Sequence, residues 1–315
     1  MTKTYRGRYA PSPTGDLHLG NVLAALVAWA RARQAKGEIY LRMEDLDVAR
    51  EVPGAARRIV EDLERLELDF DAGPQLPGPN ETFVQSTSQV HYETALEHLS
   101  ANHQLYGCTC SRKELARLAS APHAGEDGPP YPGLCRNSGH SLYGTQPPRA
   151  LRFRVPVGEV SFVDALQGRH TQDVAASVGD FVVRRKDHIF AYQLAVVVDD
   201  GRQGITEVVR GCDLLSSTPR QILLFQALGY PVPRFAHLPL WVDDRGERLA
   251  KRSGARTLRA LLEAGETPAG VLGRVGRALG VCRAGEGIRA KDLMERLTPE
   301  VLSVRRITDD GPLPD

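Results

Sequence analysis

The sequence has almost no net charge: 40 Lys and Arg stand against 39 Asp and Glu, giving a formal value of +1. A global basic field that would gather a polyanion is therefore absent, and any contact with nucleic acid must come from local basic patches. No apolar run approaches the roughly 20 residues that a membrane-spanning helix needs. The start, Met1-Thr2-Lys3-Thr4-Tyr5-Arg6, lacks the apolar region of a signal peptide, so a cytoplasmic location is expected. Cysteine is scarce and odd in number, with five residues. Cys108 and Cys110 are too close for an easy mutual bridge, and in a cytosolic setting such spacing favours metal or plain thiols over disulfides. There are no internal repeats.

What is present reads as an ordinary globular chain. Its 315 residues are 42% hydrophobic and 25% charged, enough for two or three domains and a large core. Residues Tyr5 to Ala10 read as a strand, Val22 to Ala35 as a buried Ala- and Leu-rich helix, and Glu38 to Met43 as the next strand. Pro53-Gly54 opens a helix over Ala55 to Leu68, and another is expected over Gln89 to Asn102. That alternation predicts an α/β domain of Rossmann type with a parallel sheet.

The texture then changes. A helical piece over Lys113 to Ala119 leads into an irregular Pro-, Gly- and Ser-rich stretch that ends near Arg149, and such loops are usually functional or held by something extra. Leu151 to Val183 reads as an antiparallel insertion. The run Phe190 to Asp200, apolar and ending in acids, reads as a buried strand. Pro219 to Leu228 reads as a helix with Pro in its first turn, and the tail after Gly254 as mainly helical. The expected organisation is a catalytic domain over 1–107 and 187–254, an insertion over 108–186, and a short helical region over 255–315.

Two motifs carry chemistry. Pro11-Ser12-Pro13-Thr14-Gly15-Asp16-Leu17-His18-Leu19-Gly20-Asn21 puts a His and two glycines at a strand-to-helix turn. There, unpaired N–H groups and the helix dipole favour phosphate, and Gly15 and Gly20 allow close approach. Far downstream, Arg248-Leu249-Ala250-Lys251-Arg252-Ser253-Gly254 is a basic, Gly-flanked loop. Alone, the first fits an ordinary turn and the second a solvated charged turn. Together, His18 and Lys251 would stabilise charge on the α-phosphate of ATP during in-line attack.

In these residues the chain resembles the class I aminoacyl-tRNA synthetases. His18-Leu19-Gly20-Asn21 stands in the place of their HIGH motif and Arg248-Leu249-Ala250-Lys251-Arg252 in that of KMSKS. Arg8-Tyr9-Ala10-Pro11-Ser12-Pro13-Thr14-Gly15, Arg42-Met43-Glu44-Asp45-Leu46-Asp47 and Val209-Arg210-Gly211-Cys212-Asp213-Leu214 look like the glutamyl subfamily. The similarity covers roughly residues 5 to 255. Asn21 replaces the second His and Arg248 the first Lys; an amide still hydrogen-bonds and Arg keeps the charge.

The resemblance implies an ATP-dependent ligase that activates L-glutamate, with Mg²⁺ accompanying ATP. Glutamate needs fixed cations for two carboxylates and an anion for its ammonium. Arg8 and Arg210 fit the cations, Glu44 the anion, and Tyr192, Ser12 and Ala10 the rest of the pocket, while which Arg takes which carboxylate stays open. Glu44-Asp45-Leu46-Asp47 is alternatively a capped helix start or a hydrated Mg²⁺ site, and Asp45 and Asp47 alternatively contact RNA. Gly15, His18, Gly20, Asn21, Arg248 and Lys251 would bind ATP. Arg184, Arg185 and Lys186 form a local basic run that offers itself to tRNA.

Cys108, Cys110 and Cys135 offer three thiolates suited to tetrahedral Zn²⁺, which would staple the irregular insertion. His103, His123 and His140 are the more ordinary fourth ligands. C-x-C followed by Y-x-x-x-C, however, resembles a branch of the glutamyl subfamily that acts on the queuosine base of tRNA(Asp), which implies Tyr131. Cys212 and Cys282 read as small core or near-core residues. Beyond Lys251 the 315-residue sequence holds no room for a large anticodon-binding region. That also favours tRNA(Asp) containing queuosine as acceptor, with a monomeric enzyme expected. A truncated glutamyl-tRNA synthetase, another nucleotidyl-transferring enzyme of the superfamily, and a non-catalytic nucleotide- or RNA-binding paralogue are the rivals.

Overall fold

Strand β1 (Arg6–Tyr9) feeds through a Pro/Gly turn into helix α1 (Leu19–Gln34), and the chain returns in β2 (Glu38–Leu41), parallel to β1. In this computed structural model, residues 4–74, 76, 82–111, 113–115, 130–142, 149–242 and 257–313 are described. Helices α2 (Ala55–Arg65) and α3 (Gln89–Ala101) follow, then β3 (Leu105–Cys108), β4 (Ala150–Phe153), β5 (Glu159–Asp164) and β6 (Gly168–Asp173). After these come α4 (Val174–Ser177), β7 (Val182–Arg184), α5 (Tyr192–Arg202), β8 (Glu207–Gly211), α6 (Thr218–Ala227), β9 (Arg234–Leu238) and β10 (Leu240–Trp241). Helices α7 (Leu258–Glu263), α8 (Pro268–Ala278), α9 (Ala290–Arg296) and α10 (Pro299–Leu302) precede the closing strands β11 (Arg306–Thr308) and β12 (Gly311–Pro312).

The α/β architecture agrees with the sequence pattern. Strands β8 and β9 are parallel, and β1 lies beside β8, with Thr206 N–H donating to the Arg6 carbonyl at 2.8 Å. Helix α1 has ten of its 16 residues buried. It is sandwiched, which is what an Ala- and Leu-rich sequence without a polar face requires. Its C-terminal turn is tied to the tail, where Gln34 Nε2 donates to the Met294 carbonyl at 2.8 Å. One apolar core runs from β1 and α1 through Leu258, Val271, Leu293 and Ile307. The tail is mainly helical as expected, but its end pairs back onto β10 through β11, in parallel.

Two local readings change. The run Phe190 to Asp200 is not a strand: Tyr192–Arg202 is helical, and Leu194 through Asp200 are all buried. A helix buried on every side shows no polar stripe, so periodicity cannot distinguish it from a strand. The segment 151–183 pairs antiparallel within itself, but it serves two sheets. Strands β3, β4 and β7 form one, whereas the β5–β6 hairpin joins β9 and β8 through the parallel pairing of Asp164 with Phe235.

Candidate active site

The turn after β1 is built around the start of α1. His18 is the N-cap, in extended conformation, and its Nδ1 accepts the Asn21 N–H at 3.3 Å. Asn21 reciprocates, its Oδ1 accepting the His18 N–H at 3.2 Å, which makes a capping box. An accepting Nδ1 places the ring proton of neutral His18 on Nε2. Gly20 leaves room for this ring: a Cβ there would stand 3.1 Å from His18 Cε1 and 3.2 Å from Nδ1, close enough that the ring would have to shift. Gly15 has φ +148°. The carbonyl of Leu17 accepts the Leu258 N–H at 2.7 Å, and His18 forms an antiparallel β-bridge with Thr257. Thr257 and Leu258 are thereby fixed against the first motif. Arg248 and Lys251 themselves lie outside the described residues.

Behind the turn is a buried charge array. Arg8 is 4% exposed, and its Nε donates to Asp200 Oδ1 at 3.3 Å and its Nη1 to the Val209 carbonyl at 3.0 Å. Arg42, 1% exposed, donates through Nη1 to Asp200 Oδ1 and Gln203 Oε1, each at 2.8 Å, and through Nη2 to Glu44 Oε1 at 3.2 Å. Burial opposes its charge, but Asp200, Asp199 and Glu44 more than restore it. Burial raises the Glu44 pKa above 4.5, although Arg42 and Arg8 pull against it. The backbone N–H of Glu44 donates to the Pro11 carbonyl at 3.0 Å, tying this carboxylate to the turn. A small cavity of about 50 Å³ has Ser12 and Glu44 among its lining, with Asp45 and Asp47. Ala10 is half-buried and Ser12 exposed. Asp45 is engaged by Ser86, accepting its N–H at 2.8 Å and its hydroxyl at 2.6 Å.

Arg210 sits in β8, 5% exposed. Its Nε donates to His237 Nε2 at 3.0 Å, its Nη1 to Gln221 Oε1 at 2.8 Å, and its Nη2 to Thr218 Oγ1 at 2.8 Å and the Leu214 carbonyl at 3.3 Å. Burial pushes its pKa down, and the charge of Arg8 adds to that push. Tyr192 starts α5 and is where the array meets. Burial raises its hydroxyl pKa, Arg210 and Arg8 lower it, and Glu44 and Asp200 raise it. The structure thus brings Arg8, Glu44, Tyr192 and Arg210 together.

Arg42, Asp200 and His237 were not assigned from sequence. The acids closing the 190–200 run were visible, but a strand reading gave them no partner. A lone His in Phe235-Ala236-His237-Leu238 carries no signal at all. The basic run is differently placed: Arg184 is buried with its Nη1 3.5 Å from Glu93, Arg185 pairs with Asp187 at 2.6 Å, and Lys186 Nζ donates to the Thr109 carbonyl at 2.5 Å.

The cysteine cluster forms as expected. The Sγ atoms of Cys108, Cys110 and Cys135 lie within 4.8 Å of one another, with Cys110 and Cys135 3.5 Å apart. Tyr131 Oη joins them, 3.4 Å from Cys108 Sγ and 3.8 Å from Cys110 Sγ. These separations are near the ~3.8 Å edge of a tetrahedron with metal–sulfur bonds of about 2.3 Å. Burial opposes ionisation of Cys135, yet the N–H of Thr109 and the Tyr131 hydroxyl bring its pKa down to about 6. Burial and Cys135 push Cys110 up to about 11. Burial and Cys108 also raise Tyr131. Such a set ionises together only around a cation, so the cluster can hold a metal. Arg152 lies 3.6 Å from the Tyr131 ring centroid and fixes its face. Gly179 makes the tyrosine's seat, since a Cβ there would fall 2.3 Å from the Tyr131 carbonyl oxygen. Cys212 and Cys282 are half-buried free thiols.

Residues 4–302 match the family model described as tRNA synthetases class I (E and Q), catalytic domain. A glutamyl-Q tRNA(Asp) synthetase of Symbiobacterium thermophilum is 46% identical over 91% of this chain and 90% of its own length. One from Nitratidesulfovibrio vulgaris is 44% identical over 98% and 97%. Among solved structures, a glutamate tRNA ligase from Elizabethkingia meningosepticum, in complex with its amino acid, superposes with TM-score 0.81 at 25% identity. That match covers 97% of this chain and 67% of the other. Among the described residues no helix is long and apolar enough to cross a membrane. The chain belongs to the class I tRNA synthetases for E and Q, and it is an ATP-dependent ligase with a glutamate–tRNA ligase-like function.

Proposed function

We propose that the protein activates L-glutamate with ATP, without needing tRNA, and transfers the glutamyl group to the queuosine base of tRNA(Asp). The observation that carries the amino-acid part is the buried array in which Arg8 and Arg42 share Asp200, Arg42 holds Glu44, and Arg8 binds the carbonyl of Val209 next to Arg210, with Tyr192 in the field of all three site charges. Two buried cations and one buried anion suit a ligand with two carboxylates and one ammonium. The hydrogen bonds divide the arginines' roles. Arg210 has four N–H groups occupied by His237, Gln221, Thr218 and Leu214 and Tyr192 as a further hydrogen-bond partner, so it acts chiefly through its charge. Arg8 spends Nε and one Nη1 hydrogen, leaving the Nη edge for a bidentate carboxylate. Glu44 takes the ammonium; Ser12 and Ala10 line the approach.

In the reaction a carboxylate oxygen of glutamate attacks the α-phosphorus of ATP. The new P–O bond gives glutamyl-adenylate, and the bond to the leaving pyrophosphate breaks. His18 donates from Nε2 to a phosphate oxygen at the start of α1, where Gly15, Gly20 and Asn21 shape the turn. The β-bridge between His18 and Thr257 supports bringing Lys251 and Arg248 to the same phosphates. Mg²⁺ accompanies ATP. In the second step the acyl group passes to the queuosine base and AMP leaves.

The acceptor reading is supported by the names of the relatives and by Tyr131 standing among the three thiols. Cys108, Cys110, Tyr131 and Cys135 would hold one structural Zn²⁺, which would tie β3 to the segment around Tyr131. The enzyme is read as a cytoplasmic monomer of three regions: the catalytic 1–107 and 187–254, the insertion 108–186 and the C-terminal 255–315. Glutamate-dependent ATP–pyrophosphate exchange tests the first step, and no exchange would refute it. Charging of tRNA(Asp) with and without queuosine tests the second; glutamate found on the 3′-terminal adenosine of tRNA(Glu) instead would overturn the acceptor.

A further inference from the structure

The buried environment of Arg210 contains a group that the proposed reaction does not use. His237 is fully buried, and its Nδ1 stands 2.6 Å from Asp164 Oδ2. Asp164 Oδ1 is separately committed to three backbone donors: Leu166 N–H at 3.0 Å, Gln167 N–H at 2.9 Å and His237 N–H at 3.1 Å. The other imidazole nitrogen, Nε2, accepts from Arg210 Nε at 3.0 Å. These three residues come from β5, β9 and β8, neighbouring strands of one sheet.

We infer that Asp164 and His237 form a positioning relay that orients the Arg210 guanidinium for glutamate; this rests on the reading of Arg210 as a glutamate ligand. An arginine Nε can only donate. Its partner nitrogen must therefore be unprotonated, and the ring must carry its single proton on Nδ1. Asp164 Oδ2 enforces that tautomer by accepting the proton. The sheet thus fixes the aspartate by its backbone, the aspartate fixes the ring, and the ring fixes the plane of the guanidinium. Thr218 and Gln221 complete the cradle from α6.

The test is ATP–pyrophosphate exchange with His237→Leu, His237→Gln and Asp164→Asn, measuring the KM for glutamate and for ATP separately. His237→Leu should raise the glutamate KM about tenfold or more, the scale of one hydrogen bond to a charged group, with the ATP KM unmoved. His237→Gln keeps an acceptor oxygen and should recover most of the loss. Asp164→Asn can retain the oxygen facing the backbone donors while turning a donor toward Nδ1. That drives the ring proton to Nε2, against Arg210, and should match the Leu variant. A glutamate KM that does not move, or that moves together with the ATP KM and the melting temperature, overturns the relay. Wild-type protein without glutamate-dependent exchange refutes the glutamate reading itself, before any variant is compared.

Discussion

Thr257 is held in an antiparallel β-bridge with His18, beside the 2.7 Å hydrogen bond from Leu258 N–H to the Leu17 carbonyl. The start of α7 and the N-terminal motif, remote in sequence, therefore share an anchor. Lys251→Ala should lower the rate of glutamate-dependent exchange more than it weakens glutamate binding, because a charge acting on the transition state affects kcat first. Steady-state kinetics with both substrates varied decides this, and an unchanged kcat removes the lysine from the mechanism.

His18 caps α1, and substitution can separate that from the phosphate-donor role proposed for it. His18→Ala removes the cap and should cost about 1 kcal/mol of stability as well as activity. His18→Asn keeps a good cap but removes the imidazole Nε2–H, so the melting temperature should hold while kcat falls about 100-fold. Equal loss of stability in both variants would show that the ring's role is not phosphate donation alone.

Glu44 has a folded pKa raised above 4.5 by burial. The stability associated with its neutral form is present below pH 4.5 and lost as pH rises through the folded pKa, so ionising this buried group costs stability that, on the proposed reading, a ligand ammonium would relieve. Glu44→Gln should leave the free protein as stable or more so at pH 7. It should also abolish the thermal shift given by L-glutamate, with affinity about 100-fold weaker, the scale of truncating a buried charge pair. A variant that still shows the wild-type shift refutes the ammonium site.

His237 has a folded pKa lowered below 6.5 by burial, with Arg210 and His170 adding to the effect and Asp164 opposing it. A depressed value means that its contribution is fully present above pH 6.5 and is lost as pH falls through the folded pKa. The melting temperature of the wild type should decline below pH 6.5, whereas His237→Gln should lose that part of the acid dependence. Parallel curves for the two proteins would show that another group governs it.

Tyr131 tests the metal assignment. Purified protein should carry one zinc per chain, and Tyr131→Phe should release it faster to a chelator than wild type, with Cys135→Ser losing it outright. Metal content by elemental analysis and release by a colorimetric chelator are the measurements. A Phe variant that keeps its zinc at the wild-type rate places the fourth ligand elsewhere.

Much of this was legible from the residues alone. The strand–helix–strand order, the N-terminal turn and the thiol cluster depend on local periodicity, turn chemistry and short spacings, all of which are written along the chain. Helix α5 was not legible, because burial on every side erased the polar stripe that reveals a helix. The pairing of Arg8 and Arg42 on Asp200, and of His237 between Asp164 and Arg210, was decided by the tertiary structure. Those contacts join strands and helices far apart in sequence, and only burial makes them necessary, since a charge removed from water must find its partner inside the fold. The sequence by itself determined which chemical groups exist; the packing of β1, β8, β9 and α5 decided which of them face one another.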